Sequence, residues 1–466
     1  MRLNPDIQHS RDKARPIFEE LRRQILAGRF KQGEKLPGSR AMASEIGVAR
    51  GTVNMALAML AAEGLVSIHP ASGIRVAVAV ENNKAPASAA KVRFSRWAQR
   101  LPANLPRSET PFFATGRLAD EFFPERAWLH AVKAGRRTYG ILSSDTEQTA
   151  AGFLPLRKMI AAHLSFSRGL TARAENIAIV NGSMQAITLI TQLLLDHKDA
   201  AAFENPGFHG IRSAIRATGA EALAQDVDSE GMVTPRRKSK LVVVTPASQF
   251  PTGITMSHAR RVELLDYARR HNAFIVEDEY DSEFSRLANA PQPLKLIDRD
   301  ERVIYVGSFS RTMFASLRLG YCLLPDALMD AFLRARQLYD SVPPAFADQV
   351  AMAAFMQAGH YRRHIKRMNK IYRERHDLLL GGLMAQLGDR FDFSPSAAGL
   401  SLYARWKKSP KEFASLKDGF ISAGIAWQDV SRYFAGEVQA AALFGFSHLD
   451  AEKIAAALRK MRAIRG

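Results

Sequence analysis

Val303-Ile304-Tyr305-Val306-Gly307-Ser308-Phe309-Ser310-Arg311 reads as a buried strand running out into a short polar turn. Four consecutive apolar residues without polar alternation suit a strand covered on both faces, as in a mostly parallel sheet. The same signature recurs in Ile177-Ala178-Ile179-Val180, Leu241-Val242-Val243-Val244 and Ala273-Phe274-Ile275-Val276, with helical stretches between them. That alternation predicts an α/β unit over residues 108–466 with a mostly parallel central sheet. The turn closes on Arg311, a guanidinium that stays protonated at physiological pH and is a poor nucleophile. Seven residues on, Arg318 precedes Leu319-Gly320-Tyr321.

The first 78 residues follow another pattern. Ile17, Leu21 and Ile25 share one helical face, and Gly28 is placed to end that helix. Pro37-Gly38-Ser39 opens a second helix through Ile46 with Ser39 as its N-cap, and Gly47 makes the turn. A third helix runs from about Arg50 to Glu63, with Val53, Leu57 and Leu60 inward and Gly64 as its stop. Leu65 to Ile68 and Ile74 to Val76 then form a hairpin. Helix, glycine turn, helix and a two-stranded wing make a winged helix-turn-helix, whose recognition helix enters the major groove. Arg50, Thr52 and Asn54 at that helix start are expected against guanine or phosphate, phosphate, and adenine or a sugar edge. Ser39 and Arg40 flank them, while Ser72, Gly73 and Arg75 place the wing near the backbone. Any one of these could be a solvated surface residue; together they point to double-stranded DNA.

Residues 79–107 read as a linker: Glu81 to Ser88 is small, polar and Pro-containing, and Lys91, Arg93, Arg96, Arg100 and Arg107 follow. The organisation expected is therefore a winged helix over 1–78, a linker over 79–107 and the α/β unit over 108–466. Lys and Arg number 65 against 46 Asp and Glu, a net charge of +19 that favours a polyanionic partner. The single cysteine, Cys322, excludes a disulfide framework and a cysteine-rich zinc site, and no metal site is expected. No run of 18 apolar residues and no apolar leader occurs, so a cytoplasmic chain without membrane association is expected.

Gly33-Glu34-Lys35-Leu36-Pro37-Gly38-Ser39-Arg40, Ile46-Gly47-Val48-Ala49-Arg50-Gly51-Thr52-Val53 and Glu63-Gly64-Leu65 resemble the GntR-type winged helix. In that family a serine usually stands where Ala49 is, and a larger polar residue where Gly51 is. The α/β stretch resembles the fold-type I aminotransferases, which use pyridoxal 5′-phosphate (PLP). Its motifs are Asn181-Gly182-Ser183-Met184, Glu204-Asn205-Pro206-Gly207-Phe208, Ser248 to Gly253, and the Asp278 and Ser308 segments. The two halves together resemble the MocR (GabR-type) subfamily of GntR regulators over roughly residues 15–460.

The resemblance implies a phosphate held by Ser183, Met184, Ser308, Ser310 and Arg318. It gives the ring nitrogen to Asp278, the 3′-oxygen to Tyr280 and the ring face to Phe208. It further implies a domain-swapped homodimer and a small-molecule effector: PLP, a PLP–amino-acid adduct or a related anionic metabolite. Three departures bear on activity. Arg311 replaces the Schiff-base lysine, so covalent attachment is not expected, and Arg311 is expected against a phosphate or carboxylate of the effector. Glu147-Gln148-Thr149 stands where the family has a phosphate-binding tyrosine ahead of the Gly152 to Arg157 motif. Leu443 falls where transaminases carry a carboxylate-binding arginine. These changes predict a regulator that senses rather than turns over. The alternatives are a working PLP-dependent aminotransferase fused to a DNA-binding domain, and a large domain that only dimerises.

Overall fold

The computed structural model describes residues 13–69, 73–78, 92–102, 110–139, 150–286, 292–340, 345–394 and 398–465. The chain divides between Arg93 and Phe94 into two compact units.

The first unit holds α1 (Ala14–Leu26), α2 (Ser39–Ile46), α3 (Arg50–Ala62), β1 (Val66–His69) and β2 (Gly73–Val76). Ile17, Leu21 and Ile25 of α1 meet Val53, Leu57 and Leu60 of α3 in one buried cluster. Each such side chain contributes roughly 1.5–3 kcal/mol on burial. β1 and β2 pair antiparallel with Val66 opposite Val76. Residues 34–36 add a third edge, with Leu36 N–H donating to Ile74 O at 2.9 Å. One detail differs from the sequence reading. Gly38 is the N-cap of α2, and Ser39 is the first helical residue. The Ser39 hydroxyl accepts from Arg50 Nε at 3.2 Å, so it ties α2 to α3 instead of capping.

The second unit opens with α4 (Arg96–Arg100), inside the stretch read as a linker. Ser95 caps this helix by accepting from Ala98 N–H at 3.2 Å. Next come α5 (Glu125–Tyr139), α6 (Leu154–Arg168), β3 (Ile177–Val180), α7 (Ser183–Leu194), β4 (Ala200–Asn205), α8 (His209–Thr218), β5 (Glu221–Asp228) and β6 (Gly231–Met232). β7 (Leu241–Val244), α9 (His258–His271), β8 (Phe274–Glu279), α10 (Leu294–Ile297), β9 (Val303–Ser308) and β10 (Gly320–Leu323) complete the main sheet. Its order is β3-β10-β9-β8-β7-β4-β5-β6. The central strands β5, β4, β7, β8 and β9 pair parallel, while β10 lies antiparallel between β9 and β3.

Both faces of this sheet are covered. Ile177 and Ile179 pack into one layer, whereas Ala178 and Val180 pack into the other. That is why these strands read as unbroken apolar runs. α4 packs on α8, with the Arg100 guanidinium 2.5 Å from where a Cβ on Gly219 would stand.

The C-terminal part carries α11 (Asp326–Gln337), α12 (Phe346–Gln357), α13 (His360–Leu387), β11 (Phe391–Phe393), β12 (Ser401–Trp406), α14 (Pro410–Ser422), β13 (Gln428–Asp429), β14 (Ala441–Gly445) and α15 (Ala451–Arg465). Its four strands form an antiparallel sheet of order β11-β12-β14-β13. Among the described residues no helix is long and apolar enough to cross a membrane.

Candidate ligand pocket and nucleic-acid surface

Strand β8 turns from apolar to acidic as it leaves the core, in Val276-Glu277-Asp278-Glu279-Tyr280. Its period of two sets Glu277 and Glu279 on one face, with Asp278 and Tyr280 on the other. The first pair serves structure. Glu277 accepts from the backbone N–H of Leu294 at 2.7 Å and of Lys295 at 2.9 Å, fixing the start of α10. Glu279 forms a buried ion pair with Arg168 of α6 at 2.7 Å. Asp278 and Tyr280 instead line a cavity of about 380 Å³ at the carboxyl end of the strands. Asp278 is 7% exposed and its Oδ1 has no hydrogen-bond partner. Burial, with Glu279, Glu204 and Asp281 nearby, pushes its carboxyl up to about 7. A buried acceptor left in this state is complementary to a cationic N–H donor.

The opposite end of the cavity is cationic. Gly182 enters α7 at φ +82°, and a Cβ there would stand 3.3 Å from Arg318 Nη2. Arg318 is itself held at φ +49° and donates to Asn181 O at 3.3 Å. Strain of this kind, about 1–2 kcal/mol for a side-chain-bearing residue, persists where surrounding contacts enforce it. The Ser308 hydroxyl accepts from Ser310 N–H at 3.2 Å, whereas the buried Ser310 Oγ has no partner. Free N–H groups at the start of α7, two hydroxyls and a guanidinium together suit a phosphate.

Arg311 lines the same cavity. Its Nε lies 3.3 Å from Asp281 Oδ1, and its guanidinium carbon is 5.8 Å from the centroid of the Tyr280 ring. Its buried Nη1 has no hydrogen-bond partner. Arg311 is thus half-neutralised by its own chain, through an acid the sequence reading did not assign to the pocket. Burial raises the Asp281 carboxyl, and Arg311 works against that rise.

Phe208 lines the same cavity, packed edge-on to Phe250 at 5.9 Å. Phe250 also meets Tyr280 at 5.8 Å and Tyr433 at 4.8 Å, forming an aromatic wall. The structure therefore brings all nine pocket residues named from sequence, Ser183, Met184, Phe208, Asp278, Tyr280, Ser308, Ser310, Arg311 and Arg318, to one cavity. Sequence reasoning missed Thr115, Gly116, Phe250, Arg432 and Tyr433, which also line it. Leu443 lies fully buried in β14 behind the aromatic wall. The cation that this part of the chain offers the pocket is Arg432, stacked 5.0 Å over the Tyr433 ring. No local signature marks Arg432 in the sequence. Glu147-Gln148-Thr149 lies outside the described residues.

In the first unit Arg40, Arg50, Asn54 and Arg75 are exposed and Thr52 is half-buried; Ser72 lies outside the described residues. Arg75 Nη1 donates to Gly33 O at 2.8 Å, which fixes its guanidinium along the wing. Gly73 is required by its backbone conformation, and its nearest neighbour is the movable end of an exposed lysine. It sits at φ +89°, and a Cβ would stand 2.8 Å from Lys35 Cε. Lys35, missed from sequence, crosses the wing there.

Comparison with known proteins follows this geometry. The profile for aminotransferase class I and II matches residues 129–460, and that for bacterial regulatory proteins of the gntR family matches residues 13–76. Over 462 residues the chain is 30% identical to the probable rhizopine catabolism regulatory protein MocR of Rhizobium meliloti, covering 96% of this chain and 93% of that one. The chain belongs to the MocR-type regulators of the GntR family.

This MocR-type chain is also 35% identical over 371 residues to the HTH-type transcriptional regulator TauR of Rhodobacter capsulatus, covering 76% of each. In fold it is similar to a Pyrococcus horikoshii kynurenine aminotransferase, with a TM-score of 0.71 at 22% identity over 80% of this chain and 96% of that one. It is a DNA-binding transcriptional regulator carrying an aminotransferase-like domain. The aminotransferase fold family generally binds PLP. The residues present fit that group, with orphaned Asp278 Oδ1 and Ser310 Oγ at its two ends. No described lysine lines the cavity.

Proposed function

We propose that this MocR-type regulator senses PLP, a PLP–amino-acid adduct or a related ring phosphate by non-covalent binding, and that occupancy sets its affinity for operator DNA. The observation that carries this reading is one cavity lined by Ser308, Ser310 and Arg318, an aromatic wall, an orphaned acid and Arg311, with no described lysine among its lining residues. When bound, PLP supplies an aldehyde and an electron-withdrawing ring that together permit amine chemistry. Arg311 offers that chemistry neither a free amine nor a base, since its proton leaves only far above physiological pH. Asp278 would hold the ring nitrogen's proton, Tyr280 would meet the 3′-oxygen, and Phe208 would cover one ring face. Ser183, Met184, Ser308, Ser310 and Arg318 would hold the phosphate, and Arg311 would meet an anionic group of the effector. Arg432 stands where a further carboxylate of an adduct could be met.

Coupling to DNA is supported by α8. Phe208 of the pocket immediately precedes it, and Gly219 at its far end lies under Arg100 of α4. α4 follows directly on the segment that leads from the winged helix. A ligand that favours one setting of α8 would therefore bias that segment. On DNA, Ser39, Arg40, Arg50, Thr52 and Asn54 would meet the major groove and its phosphates, with Ser72, Gly73 and Arg75 at the wing. Two winged helices, brought together by a domain-swapped homodimer, would read a two-part operator.

Mobility shifts on DNA upstream of the chain's own gene, with and without PLP, test the proposal. We expect a specific complex at moderate salt whose affinity changes at least about threefold, or about 0.7 kcal/mol, with PLP. A complex indifferent to PLP, to PLP with amino acids and to pyridoxine 5′-phosphate, or a borohydride-stable PLP adduct within the pocket, would refute it.

A further inference from the structure

Three polar atoms of the cavity are buried without partners: Asp278 Oδ1, Ser310 Oγ and Arg311 Nη1. They prescribe a complementary ligand. Asp278 calls for an N–H donor, and Ser310, which lines the same cavity as Arg318, for a phosphate oxygen. Arg311 has only donors, so its free Nη1 calls for an acceptor. The position of Arg311 decides which ligand group that is. It follows Ser310 directly in the chain, and its guanidinium is 5.8 Å from the Tyr280 ring. It therefore adjoins a residue of the phosphate arm in the chain and the Tyr280 ring in space. On a pyridoxal-type ring, the substituent flanked by the phosphate arm and the 3′-oxygen is the one opposite the ring nitrogen.

Resting on the ring-phosphate reading above, we infer that Arg311 sorts ligands by the charge of that substituent, taking a carboxylate or neutral oxygen and turning away an ammonium. The opposing influence is Asp281, whose carboxylate could attract an ammonium. That carboxylate already faces Arg311 Nε at 3.3 Å and is 3% exposed, which leaves the outward guanidinium edge to the ligand. Arg318 and Arg432 line the same cavity and add to the positive field, and burial raises the Asp278 carboxyl, weakening its countercharge. A lysine at this position would favour an aldehyde. An arginine meets the oxygen of an aldehyde, alcohol or acid at that position by hydrogen bonding alone.

The test uses the full chain and three ring phosphates that lack an aldehyde, so that no surface lysine can trap them. Pyridoxine 5′-phosphate presents a hydroxymethyl group, pyridoxamine 5′-phosphate an ammonium, and 4-pyridoxic acid 5′-phosphate a carboxylate. By titration calorimetry the carboxylate should bind about tenfold tighter than the alcohol, and the alcohol about tenfold tighter than the ammonium, as expected for one charge-assisted bond gained or one like charge opposed. Arg311→Gln, checked for folding by thermal melting, should compress the series to within about threefold. Equal or tighter binding of the ammonium form would overturn the inference while leaving the ring-phosphate reading intact. An unchanged order in Arg311→Gln would overturn it too, assigning selectivity to Arg318 or Arg432. Failure of all three to bind would sink both readings.

Discussion

Replacing Asp278 by asparagine should stabilise the ligand-free protein above neutral pH, although it removes a residue the ligand needs. Asp278 is 7% exposed, its Oδ1 has no partner, and its carboxyl is pushed from an ordinary 3.8 up to about 7. The folded state thus keeps a proton that the unfolded chain loses near pH 4. The contribution is full below that point, declines as pH rises from about 4 to about 7, and is gone above. Roughly three pH units at 1.36 kcal/mol each set the penalty near 4 kcal/mol at pH 8, an upper bound because neighbouring acids share the titration. Asparagine carries no such penalty. For a unit of this size, about 4 kcal/mol corresponds to a rise in Tm of roughly 5 °C. Melting by calorimetry at pH 5 and pH 8 is the assay, repeated with excess pyridoxine 5′-phosphate. Asp278→Asn should melt higher than the parent at pH 8, by much less at pH 5, and should gain little from ligand. An equal or lower Tm at pH 8, or a gap unchanged between the two pH values, would refute the reasoning.

Other substitutions probe separate parts. Arg311→Lys should give PLP a covalent foothold, read as a visible absorbance band fixed by borohydride; no fixed adduct would mean the rest of the pocket cannot present the aldehyde. Arg50→Ala and Arg40→Ala should each weaken operator binding by about 1–3 kcal/mol in mobility shifts with little change in Tm, and reduce the salt dependence where a phosphate contact is lost. Gly73→Ala should cost the first unit about 1–2 kcal/mol in denaturant melts, because its φ of +89° disfavours a side chain, while the nearby Lys35 side chain can swing aside. Gly182→Ala should weaken ring-phosphate binding by displacing Arg318, measured by calorimetry, since its Cβ would approach Nη2 to 3.3 Å.

What the sequence made legible follows from how local each signal is. Four unbroken apolar runs became β3, β7, β8 and β9, because a strand buried on both faces has no polar side to show. β10 was not foreseen. Its antiparallel place between β9 and β3 is a long-range pairing that no local pattern encodes. The pocket residues named in advance sit at strand ends and at a helix start, where motif and position coincide. Phe250 lies within the quoted Ser248 to Gly253 motif, but its place on the aromatic wall, like those of Arg432 and Tyr433, comes from tertiary packing that joins separate segments. The Arg311–Asp281 pair joins residues thirty positions apart.

The guanidinium of Arg311, half-held by Asp281, also bears on time. A lysine at that position would keep its ligand through a covalent bond, and release would wait on chemistry. Arg311 leaves the pocket only reversible contacts. With a dissociation constant near 1 µM and association at about 10⁶ M⁻¹ s⁻¹, a bound molecule would stay roughly one second. Occupancy would then follow the free concentration of ligand nearly as fast as metabolism changes it, and the operator would be told about the present rather than the past.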